Sequence, residues 1–462
     1  MSHHHCDDFS RAELLRATFA SAGRGLPGIE RGMPAPAGTG LSRRSFLSRA
    51  GGLALAVYGA GALGPRAFDA GIESAAAAVA PTDPILVSVF MPGGLDGLSL
   101  LVPAGISRYA DLRPGLKIQP GGAADRFRDD DRLYWAPEAA PLRDLHAAGK
   151  LTVAPAIGYA HPDQSHFTSR HFWEVGALDP GGRIGWLGRY LDRHGSPDNP
   201  LQGLSLDWTL APSLAPDSVP VAAVAEPERF DLWTRNVWDD GLQSGMMDAL
   251  GELGRLSTDD AGLAVARREA ARTSALRDQL SPMQGREFPF QTAVAYPDED
   301  AFPRQLAGLA QMIALGLPLR CVALTANGGY DTHDDQAGSL PRDLDVLARS
   351  LAAFQADLER RGIADRVLVH VWSEFGRRAE ENGGGTDHGA AGLSLLMGTR
   401  VSGKTVGQFP GLGTSQLDAD GNLKATADFR GFYASLTEQW LGVDADGIVP
   451  GAADLPRYAL VG

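Results

Sequence analysis

Residues 367–389 read VLVHVWSEFGRRAEENGGGTDHG. The first six form a near-continuous apolar run, the pattern of a strand covered on both faces. The run stops at Ser373 and Glu374. A glycine-rich segment follows, and Asp387 and His388 then stand side by side before Gly389. A carboxylate at the mouth of a buried strand, with an Asp-His pair just beyond it, fits a metal site at the C-terminal edge of a parallel sheet. Open α/β sheets bind their ligands at that edge.

The same design recurs upstream. Ile85–Phe90 is a buried strand running into Gly93-Gly94 and Asp96. Leu151–Ile157 is a strand after a short helix closed by Gly149, and Ser165 and His166 follow it. Arg320–Thr325 is a strand after a helix in 298–316, and Asp331 and His333 follow it. An amphipathic helix with a Leu/Phe face precedes the strand at Arg366–Trp372, and residues 390–398 give one more strand. Helices alternating with apolar strands predict an α/β fold: a mostly parallel, doubly wound sheet with helices on both faces. Residues 180–300 are less regular. They hold the proline-rich APSLAPDSVPVAAVAEPE (211–228) and a charged, helical 246–280, read as a helical and loop cap inserted into one domain spanning 81–462.

Asp96, Asp331, His333, Glu374, Asp387 and His388 thus fall just past successive strands. Carboxylates and imidazoles together suit a divalent ion, zinc or manganese. Taken singly, each has a plainer explanation. Asp96 fits a turn, Asp331 and His333 a helix cap, and Glu374 an ion pair with Arg377 or Arg378. His166 and His171 fit core packing with Phe167 and Trp173, and Ser165 a helix N-cap. The repetition at strand ends favours the site.

The chain has 462 residues and net charge −14. That balance excludes a general nucleic-acid binder, which must neutralise phosphates. Residues 41–64, LSRRSFLSRAGGLALAVYGAGALG, join a twin arginine, Arg43-Arg44, to a moderately apolar run, with small residues near Ala78 and Ala80 for cleavage. This reads as a twin-arginine export signal within an N-terminal extension of 1–80. The run Gly51–Leu63 is shorter than the ~20 residues a spanning helix needs. The expected location is periplasmic, cell-surface or secreted. Met33 is an alternative start to Met1, and the His3–Cys6 cluster is read as irrelevant to function. Cys6 and Cys321 are the two cysteines. A mature chain without Cys6 has no internal disulfide, so its stability comes from a core.

The export signal followed in order by FMPGGLDGLSL, HPDQSHFTSRHFWE, GGYDTHDDQ, SEFGR and GTDHG resembles the DUF1501 family of exported bacterial proteins, itself similar to the alkaline phosphatase and sulfatase superfamily. The resemblance spans residues 84–442. It implies an alkaline-phosphatase-like fold and a hydrolase of phosphate or sulfate esters using one or two metal ions. Asp96 resembles the first-strand ligand and Ser165 the nucleophile. Asp331, His333 and His388 resemble one metal's ligands, and Glu374 stands where a second metal's Asp-His pair begins. His166 is the expected acid or base, and Arg377 the expected contact to a transferring oxyanion. Two features depart from the superfamily pattern. Only Thr332 separates Asp331 from His333, and Phe375 occupies the place of a second-site histidine. No CxPxR sulfatase motif is present. The alternative is a non-catalytic exported binding protein that keeps the fold, with or without one metal, and has an exported DUF1800-family protein as partner. A polymer binder resting on Trp173, Trp208 and Trp233 is a third reading.

Overall fold

The computed structural model describes residues 57–58, 83–231, 238–285, 290–298 and 300–462. The twin arginine, the cleavage positions Ala78 and Ala80, the His3–Cys6 cluster and Trp233 lie outside these residues.

Among the described residues, the strands that position the site are β1 Ile85–Phe90, β2 Leu151–Gly158, β3 Gly203–Ser205, β4 Val221–Ala223, β5 Cys321–Thr325, β6 Val367–Trp372, β7 Arg377–Glu381, β8 Thr386–His388, β9 Gly392–Met397 and β10 Ala427–Asp428. The main sheet runs β4-β3-β5-β1-β6-β9-β2-β10, and Val57–Tyr58 pairs antiparallel beyond β4. β1 lies at its centre, parallel to both neighbours, with Val87 opposite Val322 and Val369. β9 is antiparallel to both β6 and β2. The physical reason is the short path from β6 to β9. It contains the small hairpin β7–β8 and no crossover helix, and parallel return needs a crossover. Because β9 runs backwards, its N-terminal end, and with it Asp387 and His388, sits at the C-terminal rim of the parallel strands.

Successive side chains of a strand point to opposite faces, and β1 shows this directly. Ile85, Val87 and Val89 join one core with Leu142, Leu306, Leu344, Leu347 and Phe354. Those residues come from α1 Ala140–Ala147, α6 Ala301–Ala314 and α7 Gln336–Arg360. Leu86 and Phe90 join a second core with Trp173, Trp186, Phe432 and Tyr433. These belong to α2 His166–Val175, α3 Trp186–His194 and α8 Phe429–Gln439. The sheet is therefore covered on both faces, as the apolar runs predicted.

Residues 180–300 differ from a pure cap. β3 and β4 extend the main sheet, and the helical hairpin of α4 Asp240–Gly254 and α5 Ala261–Leu280 is the part outside it. Strands of three residues in a proline-rich stretch carry too little periodicity to be read from sequence.

One core group makes stability pH-dependent. His370 of β6 is fully buried, its Nε2 2.9 Å from Ser394 Oγ and its ring against Phe432. Burial pushes its pKa down from 6.5 to about 3. The folded protein holds it neutral, whereas the unfolded chain takes up its proton below pH 6.5. Stability from this residue is therefore lost between pH 6.5 and about 3, with a slope approaching about 1.4 kcal/mol per pH unit. Urea denaturation of His370→Leu between pH 7 and 4 should show a shallower acid limb by up to that slope. Equal slopes in variant and wild type would refute a neutral buried imidazole.

Candidate metal centre

The rim is built by the turn after β1. Gly93 and Gly94 have φ of +112° and +79°, and a Cβ on either would come within 2.4 Å of Asp331 N or 2.3 Å of the Phe375 ring. Only glycine allows that approach. The turn aims two amides at Glu374: Gly93 N–H reaches Oε1 at 2.9 Å and Gly94 N–H reaches Oε2 at 3.1 Å. Ser373 Oγ donates to Oε2 at 2.9 Å, and His166 Nδ1 lies 2.8 Å from Oε1. Glu374 is fully buried. Burial favours its protonation, but His166 and the amides outweigh that and hold its pKa below the usual glutamate value. The sequence suggested a ligand here. The structure instead gives Glu374 four protein donors and the task of holding His166.

His166, Asp331 and His388 come together. One ligand atom from each lies within 4.8 Å of the other two. Ligand atoms in a closed tetrahedral zinc site stand about 3.3 Å apart, so a small inward shift would complete the set. His333 adds its Nε2 3.1 Å from Asp331 Oδ1.

The partners assign the tautomers. His388 Nδ1 is 2.8 Å from the Gln164 carbonyl oxygen, which only accepts. His166 Nδ1 faces the Glu374 carboxylate, and His333 Nδ1 lies 3.1 Å from Asp387 Oδ1. Each Nδ1 therefore carries a proton. The three Nε2 atoms all turn to one carboxylate, at 3.5 Å for His166, 3.1 Å for His333 and 3.3 Å for His388. Neutral imidazoles would present three lone pairs to a carboxylate, which is stable only with a cation among them. Imidazolium forms would instead donate to it. Burial raises the Asp331 pKa, but the three imidazoles, when protonated and donating, and the charge of Arg377 hold it far below the ordinary range. Two nitrogens and one carboxylate oxygen form the close set, His333 reaches Asp331 from beyond it, and each imidazole is braced at its other nitrogen, an arrangement that suits zinc. The donor set fits a divalent ion.

Other expected residues are placed differently. Asp96 lies outside the converging three. It is buried and ionised, with its carboxylate engaged by Arg113, Ser99, Gln336 and Leu98 N. Arg377 does not face outward. Its Nε donates to Gly94 O at 2.8 Å, its Nη1 to Thr386 O at 2.7 Å, and its Nη2 to the Gly93 and Tyr330 carbonyls and Asp331 Oδ1. Every nitrogen of the guanidinium already has a protein partner, and the side chain is buried rather than open to a substrate oxyanion. Asp387 is half-exposed and accepts from Asn382 Nδ2 at 3.0 Å besides facing His333. Ser165 occupies the N-cap position of α2, but its hydroxyl does not cap the helix. It stands between Gln164, which holds His388, and His166. Phe375 packs its ring 4.8 Å from the rings of both His166 and His388, an apolar wall where an imidazole was expected.

Gln164, Ser373, Arg113 and Gln336 escaped sequence reading. The first acts through its carbonyl, which no side-chain pattern reveals. The other three are ordinary polar residues far apart in the chain. Trp173 is buried and stacked on Trp372 and Phe429, so it is no binding platform, whereas Trp208 is exposed. A cleft of about 430 Å³ is walled by Tyr159, Pro162, Ala390, Leu423 and Tyr458. Its walls adjoin Asp163–His166 on one side and His388 on the other along the chain.

Residues 241–449 match the model of a family described as "Protein of unknown function (DUF1501)". No curated protein sequence matches the chain. Solved structures similar to it include a protein in the alkaline phosphatase superfamily from Vibrio parahaemolyticus, at 9% identity, covering 82% of this chain and 72% of that one, TM-score 0.35. The C-terminal periplasmic domain of EcEptC from Escherichia coli is also 9% identical, covering 82% and 92%, TM-score 0.33. The phosphonate monoester hydrolase SpPMH from Silicibacter pomeroyi is 12% identical, covering 81% and 75%, TM-score 0.30.

Proposed function

From a chain whose residues 241–449 match the DUF1501 model, we propose an exported metal-dependent hydrolase of phosphate or sulfate esters. The observation that carries the reading is the convergence of His166, His333 and His388 on Asp331, each imidazole braced at Nδ1. These four residues would hold one divalent ion, zinc first and manganese second. Such an ion supplies Lewis acidity toward an ester oxygen and lowers the pKa of a nearby hydroxyl or water.

The chain's own groups divide the remaining work. Ser165 is the proposed nucleophile, carried at the N-terminus of α2, where the helix dipole favours an anion. Glu374 keeps the His166 Nδ1 protonated and its ring fixed. Phe375 excludes water from the inner side of the imidazoles. The cleft at Tyr159, Ala390 and Tyr458 takes the organic part of the ester.

A non-catalytic binding protein is the second reading. It is favoured by the closure of Asp96 and Glu374 by protein donors and by the apolar Phe375, which leave a second metal without evident ligands among the described residues. In that case an exported DUF1800-family protein is the proposed partner.

Metal analysis of the mature, untagged protein, paired with a screen of aryl phosphates and sulfates, separates the two. One equivalent of zinc or manganese with turnover that Ser165→Ala abolishes supports the hydrolase. One equivalent without turnover supports the binding protein. Folded protein that takes up no metal refutes the hydrolase and leaves the binding protein.

A further inference from the structure

We propose that Asp96 and Gln336 form a positioning relay that holds the two ligand-bearing loops in register, so that Asp96 acts on the metal centre without ligating it. The inference rests on the metal-site reading above.

Gln336 is the first residue of α7, and its side chain is buried. Its Nε2 donates to Asp96 Oδ2 at 2.6 Å and to Ser99 Oγ at 3.2 Å. An ionised carboxylate only accepts, so this contact fixes which end of the amide is nitrogen. Its Oε1 then accepts from Thr332 Oγ1 at 3.0 Å and Thr386 Oγ1 at 2.7 Å. Thr332 lies between Asp331 and His333, and Thr386 immediately precedes Asp387 and His388. One amide oxygen thus ties together the two loops that deliver Asp331, His333 and His388. Thr386 N–H to Thr332 O at 2.9 Å and Gln336 N–H to Gly384 O at 3.1 Å complete the clamp.

Asp96 anchors that amide and has no capacity left for an ion. Its Oδ1 accepts from Leu98 N at 3.2 Å and Arg113 Nη2 at 3.0 Å. Its Oδ2 accepts from Ser99, Arg113 and Gln336 at 2.6 Å or less. A carboxylate offers about four lone-pair sites, and five donors occupy them. Arg113 is itself buried and extends the network to the Arg378 and Ala379 carbonyls of β7. The relay therefore runs from the turn after β1, through α7, to the loops after β5 and before β9. The side chains of the relay, Asp96, Ser99, Gln336, Thr332 and Thr386, are all buried, where hydrogen bonds hold geometry best.

The test is zinc affinity and stoichiometry by competition with a chromophoric chelator, with thermal melting of the metal-free proteins measured in parallel. Affinities are compared well below the lowest melting temperature. Gln336→Leu should keep the wild-type number of equivalents and bind zinc about 10- to 100-fold more weakly, the range for loss of a group that orients ligands. Thr386→Val should fall in the same direction by less, and Thr386→Ser, which keeps the hydroxyl, should restore wild-type affinity. Asp96→Asn should weaken binding without losing an equivalent. Its effect combined with Gln336→Leu should be smaller than the product of the two, because they act as one unit. If Asp96→Asn does not fold, the Gln336 and Thr386 variants decide. Loss of a whole equivalent in Asp96→Asn would make Asp96 a ligand and overturn the relay. Unchanged affinity in Gln336→Leu and Thr386→Val, with lowered melting temperatures alone, would reduce the network to a structural one and overturn it too. Wild-type protein that binds no zinc would instead overturn the metal reading, and the relay with it.

Discussion

Asp331→Asn should bind zinc at least about 100-fold more weakly than wild type, beyond the 10- to 100-fold that outer partners of a metal site usually cost. Asp331 is the residue on which His166, His333 and His388 all converge, and asparagine keeps its shape while removing its charge. The same substitution takes away the one carboxylate partner of the buried Arg377. It should therefore also lower the stability of the metal-free protein, with a defined pH signature. The carboxylate's pKa is held well below the unfolded value near 4. A depressed carboxylate contributes stability above its unfolded pKa, and that contribution is lost as pH falls through its folded pKa. Asp331→Asn should accordingly lose stability at pH 7, with a smaller difference from wild type in strong acid. Zinc titration and urea denaturation at pH 7 and pH 3 test both parts. Near-wild-type zinc affinity would remove Asp331 from the ligand set. A stability difference that does not narrow in acid would remove the depressed carboxylate.

Arg377→Leu is expected to be the most destabilising single change at the rim. The buried guanidinium satisfies the carbonyls of Gly93, Gly94, Tyr330 and Thr386 and the carboxylate of Asp331. Removing one partner of a buried charged network typically costs about 3–5 kcal/mol, because the remaining groups are left desolvated and unpaired. At about 1.4 kcal/mol per factor of ten, the folding equilibrium should shift by roughly 10²- to 10³-fold or more. Arg377→Lys should fall between, since an ammonium cannot reproduce the planar fork that reaches three segments of the chain at once. Urea midpoints of the metal-free variants give the comparison. A loss below about 1 kcal/mol, the range of exposed ion pairs, would show that the network is not holding the rim. An effect seen only in substrate affinity, with stability intact, would return Arg377 to the oxyanion role that its motif suggested.

The two substitutions separate what the motif SEFGR does from where it sits. Its glutamate was legible as a site residue because it ends a buried strand, and it does lie at the centre. Its partner, however, is the imidazole of His166, 208 residues earlier. The motif suggests an acid or base at His166, and the structure places it among the converging groups. The exchange of roles follows from the turn after β1, whose two amides close Glu374 before any ion can. A sequence shows the glycines that make such a turn possible, but not the carboxylate they will meet.

Sequence alone determined the layering of this protein. The continuous apolar runs at Ile85–Phe90, Leu151–Gly158 and Val367–Trp372, alternating with amphipathic helices, admit little but a sheet covered on both faces. It also determined that polar loops would gather at one rim, because parallel strands end on the same side. Tertiary structure alone decided the reversed direction of β9, which carries Asp387 and His388 back to that rim. It alone decided that Asp96, Glu374 and Arg377 spend their hydrogen-bonding capacity on protein partners. The reason is that a hydrogen-bonding group's task depends on which donors and acceptors reach it first. At this rim the partners lie up to 284 residues away in the chain and within about 3 Å in space.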